Sequence, residues 1–172
     1  MRKKGQLLGQ PLVYVFALIF GALILAWGIN SVMKLGDTAG AVELGKFATS
    51  LESKTGQYLN FDEGSTTTIK ISLPSKISYV CFFDSQSPVN KCVMNEARTP
   101  CRIQDLDEGF SALTKTKTKY NIFFLPINSY NLPPKEIKNL KVDTEIGNPI
   151  CYTNKAGNEF MITSMGTYVS VS

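Results

Sequence analysis

After Arg2, Lys3 and Lys4 the chain carries no charge until Lys34. Leu, Ile, Val, Ala and Phe dominate residues 11–29. A bilayer core about 30 Å thick calls for roughly 20 such residues in one helix. Pro11 suits a first helical turn, where its missing N–H has no partner to lose. Tyr14 and Trp27 stand near opposite ends of the run, as interfacial aromatics do. The pattern predicts a transmembrane helix over 6–33. The basic residues ahead of it place 1–5 on the cytoplasmic side and 34–172 outside.

Beyond the run the periodicity changes twice. Residues 31–60 read as helix, with Leu44, Phe47, Leu51 and Tyr58 on one apolar stripe. Asp37 and Thr38 are expected as its caps and Gly56 as its stop. After Gly64 the period becomes two. Residues 66–73 alternate, with Ile69, Ile71 and Leu73 on one face. Residues 77–83 and 120–125 are continuous apolar runs and read as strands. Short strands are also expected at 140–143, 149–152, 158–163 and in the tail 167–172. Residues 155–158 read as a hairpin turn, and 128–134 as an Asn- and Pro-rich loop. Residues 105–113 suit a short helix or turn. Helix first and about six strands afterwards predict an α+β fold, with the amphipathic helix packed on an antiparallel sheet.

The 172-residue chain has a net charge of +4. Setting Arg2, Lys3 and Lys4 aside leaves 15 of the 18 basic residues against 14 acidic ones. A nearly neutral exterior offers no electrostatic footprint for nucleic acid. Lys115, Lys117 and Lys119 alternate, which predicts an edge strand kept unattractive to partners by its lysines.

The four cysteines are Cys81, Cys92, Cys101 and Cys151. An even count outside a membrane suggests two disulfides with three possible connectivities. Cys81 and Cys151 lie in strand-like runs, and Cys92 and Cys101 flank the polar excursion 93–100. Pairing strand with strand and flank with flank gives Cys81–Cys151 and Cys92–Cys101. A zinc site is the alternative. It would need all four thiolates at irregular spacing, without a Cys-x-x-Cys and without a histidine anywhere.

Three readings compete for the first thirty residues: a secretory signal peptide cut near Ala26–Gly28, a plain membrane anchor, and a prepilin-type leader that is cut ahead of a retained helix. The segment Lys3-Lys4-Gly5-Gln6 followed by the apolar run resembles the class III signal peptide of archaeal type IV pilin-like proteins. In that family a short basic segment ends at a Gly, often followed by Gln. The resemblance implies processing between Gly5 and Gln6 by a prepilin-type peptidase. It also implies a helix retained among membrane lipid or other pilin-like subunits at the cell surface. Many pilins carry Glu at the fifth mature position, where it pairs with a neighbour's amino terminus. Here Gln10 stands there, with Leu8 and Tyr14 where Ser and Leu are common.

Catalytic chemistry leaves few traces. Without histidine the commonest general base is missing. No phosphate-binding glycine loop or Gly-x-Ser-x-Gly occurs. Asp105, Asp107 and Glu108 form the closest carboxylate cluster. Position twelve of a calcium loop starting at Asp105 would be Thr116 instead of Glu, so a solvated turn is the better reading. The expectation is a structural or interaction protein with no enzymatic activity and no cofactor. The alternative is a single-pass anchored binding domain that does not polymerise.

Overall fold

The computed structural model describes residues 9–94 and 98–172, with side chains in the first helix from Val13 onward. The first helix, α1 (Gly9–Tyr58), is 50 residues long. The chain divides into two compact units within it, at Ala39/Gly40.

In the first unit no helix begins at Asp37-Thr38. The Thr38 hydroxyl donates to the Lys34 carbonyl at 3.0 Å, as Ser31 does to Trp27 at 2.9 Å. These are bonds of residues inside a helix, so the expected caps are interior positions.

In the second unit α1 buries Gly40, Leu44, Ala48, Leu51 and Thr55. Spacings of three and four put them on one face. Phe47 and Tyr58 pack partly buried against the same core. Gly40 is where Tyr130 approaches: a Cβ there would overlap the tyrosine ring. The helix passes Gly56 and ends at Tyr58, where the Asn60 side chain donates to the Gly56 carbonyl at 3.0 Å.

Among the described residues nine strands follow, in two sheets instead of one. They are β1 (Thr66–Lys70), β2 (Tyr79–Phe82), β3 (Val93–Met94), β4 (Thr99–Pro100), β5 (Ile122–Leu125), β6 (Leu140–Val142), β7 (Ile150–Thr153), β8 (Glu159–Ser164) and β9 (Val169–Val171). Two short helices, α2 (Ile103–Leu106) and α3 (Glu108–Thr114), separate β4 from β5. Sheet A runs β1-β8-β9-β6 and sheet B runs β4-β3-β7-β2-β5. Five of the seven strand pairs are antiparallel, in keeping with the expected α+β layout. Each sheet also contains one parallel pair, β6–β9 and β3–β7, and the expected single sheet is two. Residues 155–158 do turn the chain, with Gly157 at φ +91. They link β7 to β8 across sheets and do not close a hairpin. At the two ends of the excursion 93–100, β3 and β4 pair antiparallel. The lysines of 115–119 lie in a turn after α3 instead of an edge strand.

The two sheets differ in what covers them, and their sequences reflect it. Leu51 of α1 joins Ile69, Phe160, Ile162, Val169 and Val171 of sheet A, and Val80, Phe82, Ile122, Ile150 and Tyr152 of sheet B, in one core. On the other face of sheet B, Cys81, Phe83, Phe123, Leu125 and Cys151 form a second core around Phe110 of α3. Burial on both faces accounts for the unbroken apolar runs of β2, β5 and β7. Sheet A is open on its outer face, where Thr66, Thr68, Lys70, Lys141 and Met161 are exposed, and its strands alternate.

Three asparagines hold the connecting loops. The Asn148 amide nitrogen donates to the carbonyls of Asp84, Ser87 and Pro88, while its oxygen accepts from Asp84 N. Asn154 serves Leu73, Pro74 and Ile77 in the same way. Asn121, beside β5, bonds both backbone groups of Ile137 and the Leu140 carbonyl at the start of β6, which ties sheet B to sheet A. Each side chain supplies the partners that an irregular buried backbone lacks. Gly147 is required beside Asn148, because a Cβ would come within 2.6 Å of the Lys91 carbonyl.

Candidate functional site on the exposed apolar helix

From Val13 to Leu35 the large apolar side chains of α1 are exposed, with Leu18 and Trp27 each at 74%. Gly21 and Gly28 have open space where a Cβ would stand. The ring contact in this stretch is local, Phe16 on Phe20 one turn away at 6.5 Å. α1 is the one helix among the described residues long and apolar enough to cross a membrane. Transferring so much apolar surface out of water is favourable at about 25 cal/mol per Å². A bilayer or a set of neighbouring helices would accept it. The backbone suits either environment, because a helix satisfies its own polar groups.

Gly5 and Gln6, the residues of the expected processing site, lie outside the described residues, as do the leader lysines. The cysteines are all disulfide-bonded. Cys81 of β2 is bonded to Cys151 of β7, directly opposite in register, and Cys92 to Cys101 beside the β3–β4 pair. No thiol is left among them for a metal or for redox exchange.

The acidic cluster has a structural use that the sequence did not disclose. Asp107 caps α3, accepting from Phe110 N at 2.8 Å through Oδ1. Its Oδ2 accepts from Ile127 N at 3.1 Å, so one carboxylate fixes both the helix start and the chain after β5. N-capping by Asp explains its place ahead of the helix. Among the described residues no group of three or more His, Cys, Asp or Glu is arranged to hold a metal ion. The exposed Lys135–Glu52 pair, at 2.7 Å, fastens the segment before β6 to α1.

Compared with models of known protein families, with curated proteins and with solved structures, the chain matches none.

Proposed function

We propose that this chain is a membrane-anchored, pilin-like structural or interaction protein of the cell surface. The uncovered apolar surface from Val13 to Leu35 carries the reading. An apolar surface of that length and continuity is not left in water by a soluble protein. The resemblance of Lys3-Lys4-Gly5-Gln6 to a prepilin-type leader, of the archaeal class III kind, supplies the finer part. The leader faces the cytoplasm, the helix stays in the membrane, and the disulfide-bonded α+β unit lies outside, where disulfides persist. Its partners are lipid, a prepilin-type peptidase and other pilin-like subunits, and it performs no catalysis.

The mature amino terminus tests this reading. Mass spectrometry of protein purified from membranes of the producing cell is expected to find Gln6 as the first residue. An intact Met1 would leave a plain anchor, and a start near Ile29 would make the chain a secreted protein.

Gln10 favours a second reading, an anchored binding domain that does not polymerise. An amide offers a neighbouring amino terminus a hydrogen bond without the opposite charge that strengthens it. If the subunits assemble, Gly21 and Gly28 allow close helix approach. Cross-linking of intact cells is then expected to give a ladder of subunits, stronger in Gln10→Glu and weaker in Gly21→Leu. A single monomeric band in wild type and Gln10→Glu alike would select the second reading.

A further inference from the structure

The outer face of sheet A contains a cavity of about 330 Å³, lined by Val142, Asp143, Thr144, Glu145, Thr163, Met165, Tyr168, Ser170 and Ser172. Its floor follows from register. Thr163 of β8 stands opposite Ser170 of β9, and Ser170 opposite Lys141 of β6. The turn after β6 supplies Asp143 and Glu145 at one side. Met165 and Tyr168, from the β8–β9 connection, supply the apolar wall. The Lys141 amine lies over the Tyr168 ring at 4.9 Å.

The hydrogen-bonding capacity of this cavity is unspent. Ser170 is only 7% exposed, yet its hydroxyl bonds no other described residue. No buried side-chain oxygen or nitrogen is both sealed from solvent and unbonded among the described residues, so the Ser170 hydroxyl keeps accessible surface in the cavity that it lines. On the opposite face of the same sheet, buried Ser164 shows the ordinary arrangement and donates to the Phe61 carbonyl at 3.2 Å. The hydroxyls of Thr144, Thr163, Tyr168 and Ser172 are likewise without a bond to a described residue, and so is the Glu145 carboxylate. Asp143 uses Oδ1 to accept from Glu145 N at 3.0 Å, which fixes the turn and leaves Oδ2.

We infer that this cavity binds a neutral sugar residue of a glycan. The volume lies at the small end of ligand sites, which span about 300–1,000 Å³. A sugar brings several hydroxyls that both donate and accept. They match a floor of serine and threonine hydroxyls flanked by carboxylates that only accept. Its C–H face suits Met165 and the Tyr168 ring. Asp143 and Glu145 outnumber the Lys141 amine, so the cavity prefers neutral sugars to acidic ones. The site lies wholly within residues 142–172 and stands apart from the membrane reading.

The test uses the full chain in phosphatidylcholine nanodiscs, because many membrane detergents carry sugar headgroups. The probes are methyl glycosides of glucose, galactose, mannose and N-acetylglucosamine, with glucuronate for charge, read by saturation-transfer NMR. Transfer to at least one neutral glycoside and weaker transfer to glucuronate are expected. Ser170→Ala and Glu145→Gln should each weaken binding, the latter by about tenfold, the loss of one charge-assisted bond of about 1.4 kcal/mol. Glu63→Gln, outside the cavity, should leave it unchanged. Glu145 is exposed on a turn, so its replacement reads binding without a change of fold. Absence of transfer to every neutral glycoside overturns the inference. Transfer that persists undiminished in both Ser170→Ala and Glu145→Gln overturns it equally.

Discussion

Replacing Cys81 and Cys151 together by alanine should lower the unfolding free energy by about 4 kcal/mol, against about 2.5 kcal/mol for Cys92 and Cys101. The difference comes from the unfolded chain. The first bond joins residues 70 apart and the second residues 9 apart, and a longer closed loop removes more freedom from the denatured ensemble. The first pair is also wholly buried, beside Phe83 and Phe123, so alanine leaves unfilled volume as well. Chemical denaturation of the two double variants, side by side under oxidising conditions, measures this. Equal losses would show that loop length is not what these bonds contribute.

Asn148→Leu should cost about 3 kcal/mol, although the two side chains are nearly the same size. Asn148 is fully buried, and leucine would strip partners from Asp84 N and from the carbonyls of Asp84, Ser87 and Pro88. The loop ahead of β3 would have to open to water to recover them. Denaturation midpoints report the loss, and faster proteolysis within residues 84–91 reports its location. A loss under about 1 kcal/mol, the worth of one ordinary hydrogen bond, would show that the loop holds itself without the clamp.

Asn148 marks one limit of what could be read in the sequence. An asparagine beside a proline looks like a turn, and nothing local tells an exposed one from a buried clamp sixty residues away in sequence. The strands were legible where burial imposed a pattern. The alternation around Ile69 follows from the open face of sheet A, and the run around Cys81 from burial on both faces. Their division into two sheets was not legible, because a period of two is the same in either. Leu44 and Leu51 disclosed the buried face of α1. Ala48 and Thr55 did not, since small residues pack as closely as large ones without marking a stripe. Asp37 and Thr38 resembled caps because capping residues also occur inside long helices, where no N–H is left unpaired. The lysines of 115–119 alternate in sequence, yet they lie in irregular chain after α3 where no strand forms. For the sites, the apolar helix was plain in the first thirty residues. The sheet A cavity was not, because its hydroxyls come from strands and turns that meet only after folding.

The position of β9 also dictates an order of events. Sheet A runs β1-β8-β9-β6, so residues 169–171 form an inner strand and are the one neighbour of β6 among the described strands. β1 meanwhile waits for β8, some ninety residues later in the chain. A chain made from its amino terminus therefore emerges with α1, β1 and β6 all complete and none of them able to join the sheet. Contacts so distant in sequence close slowly. β9 works as a zip fastener drawn after β1, β6 and β8, and until β8 and β9 arrive the growing chain leaves β1 and β6 without a partner in the sheet.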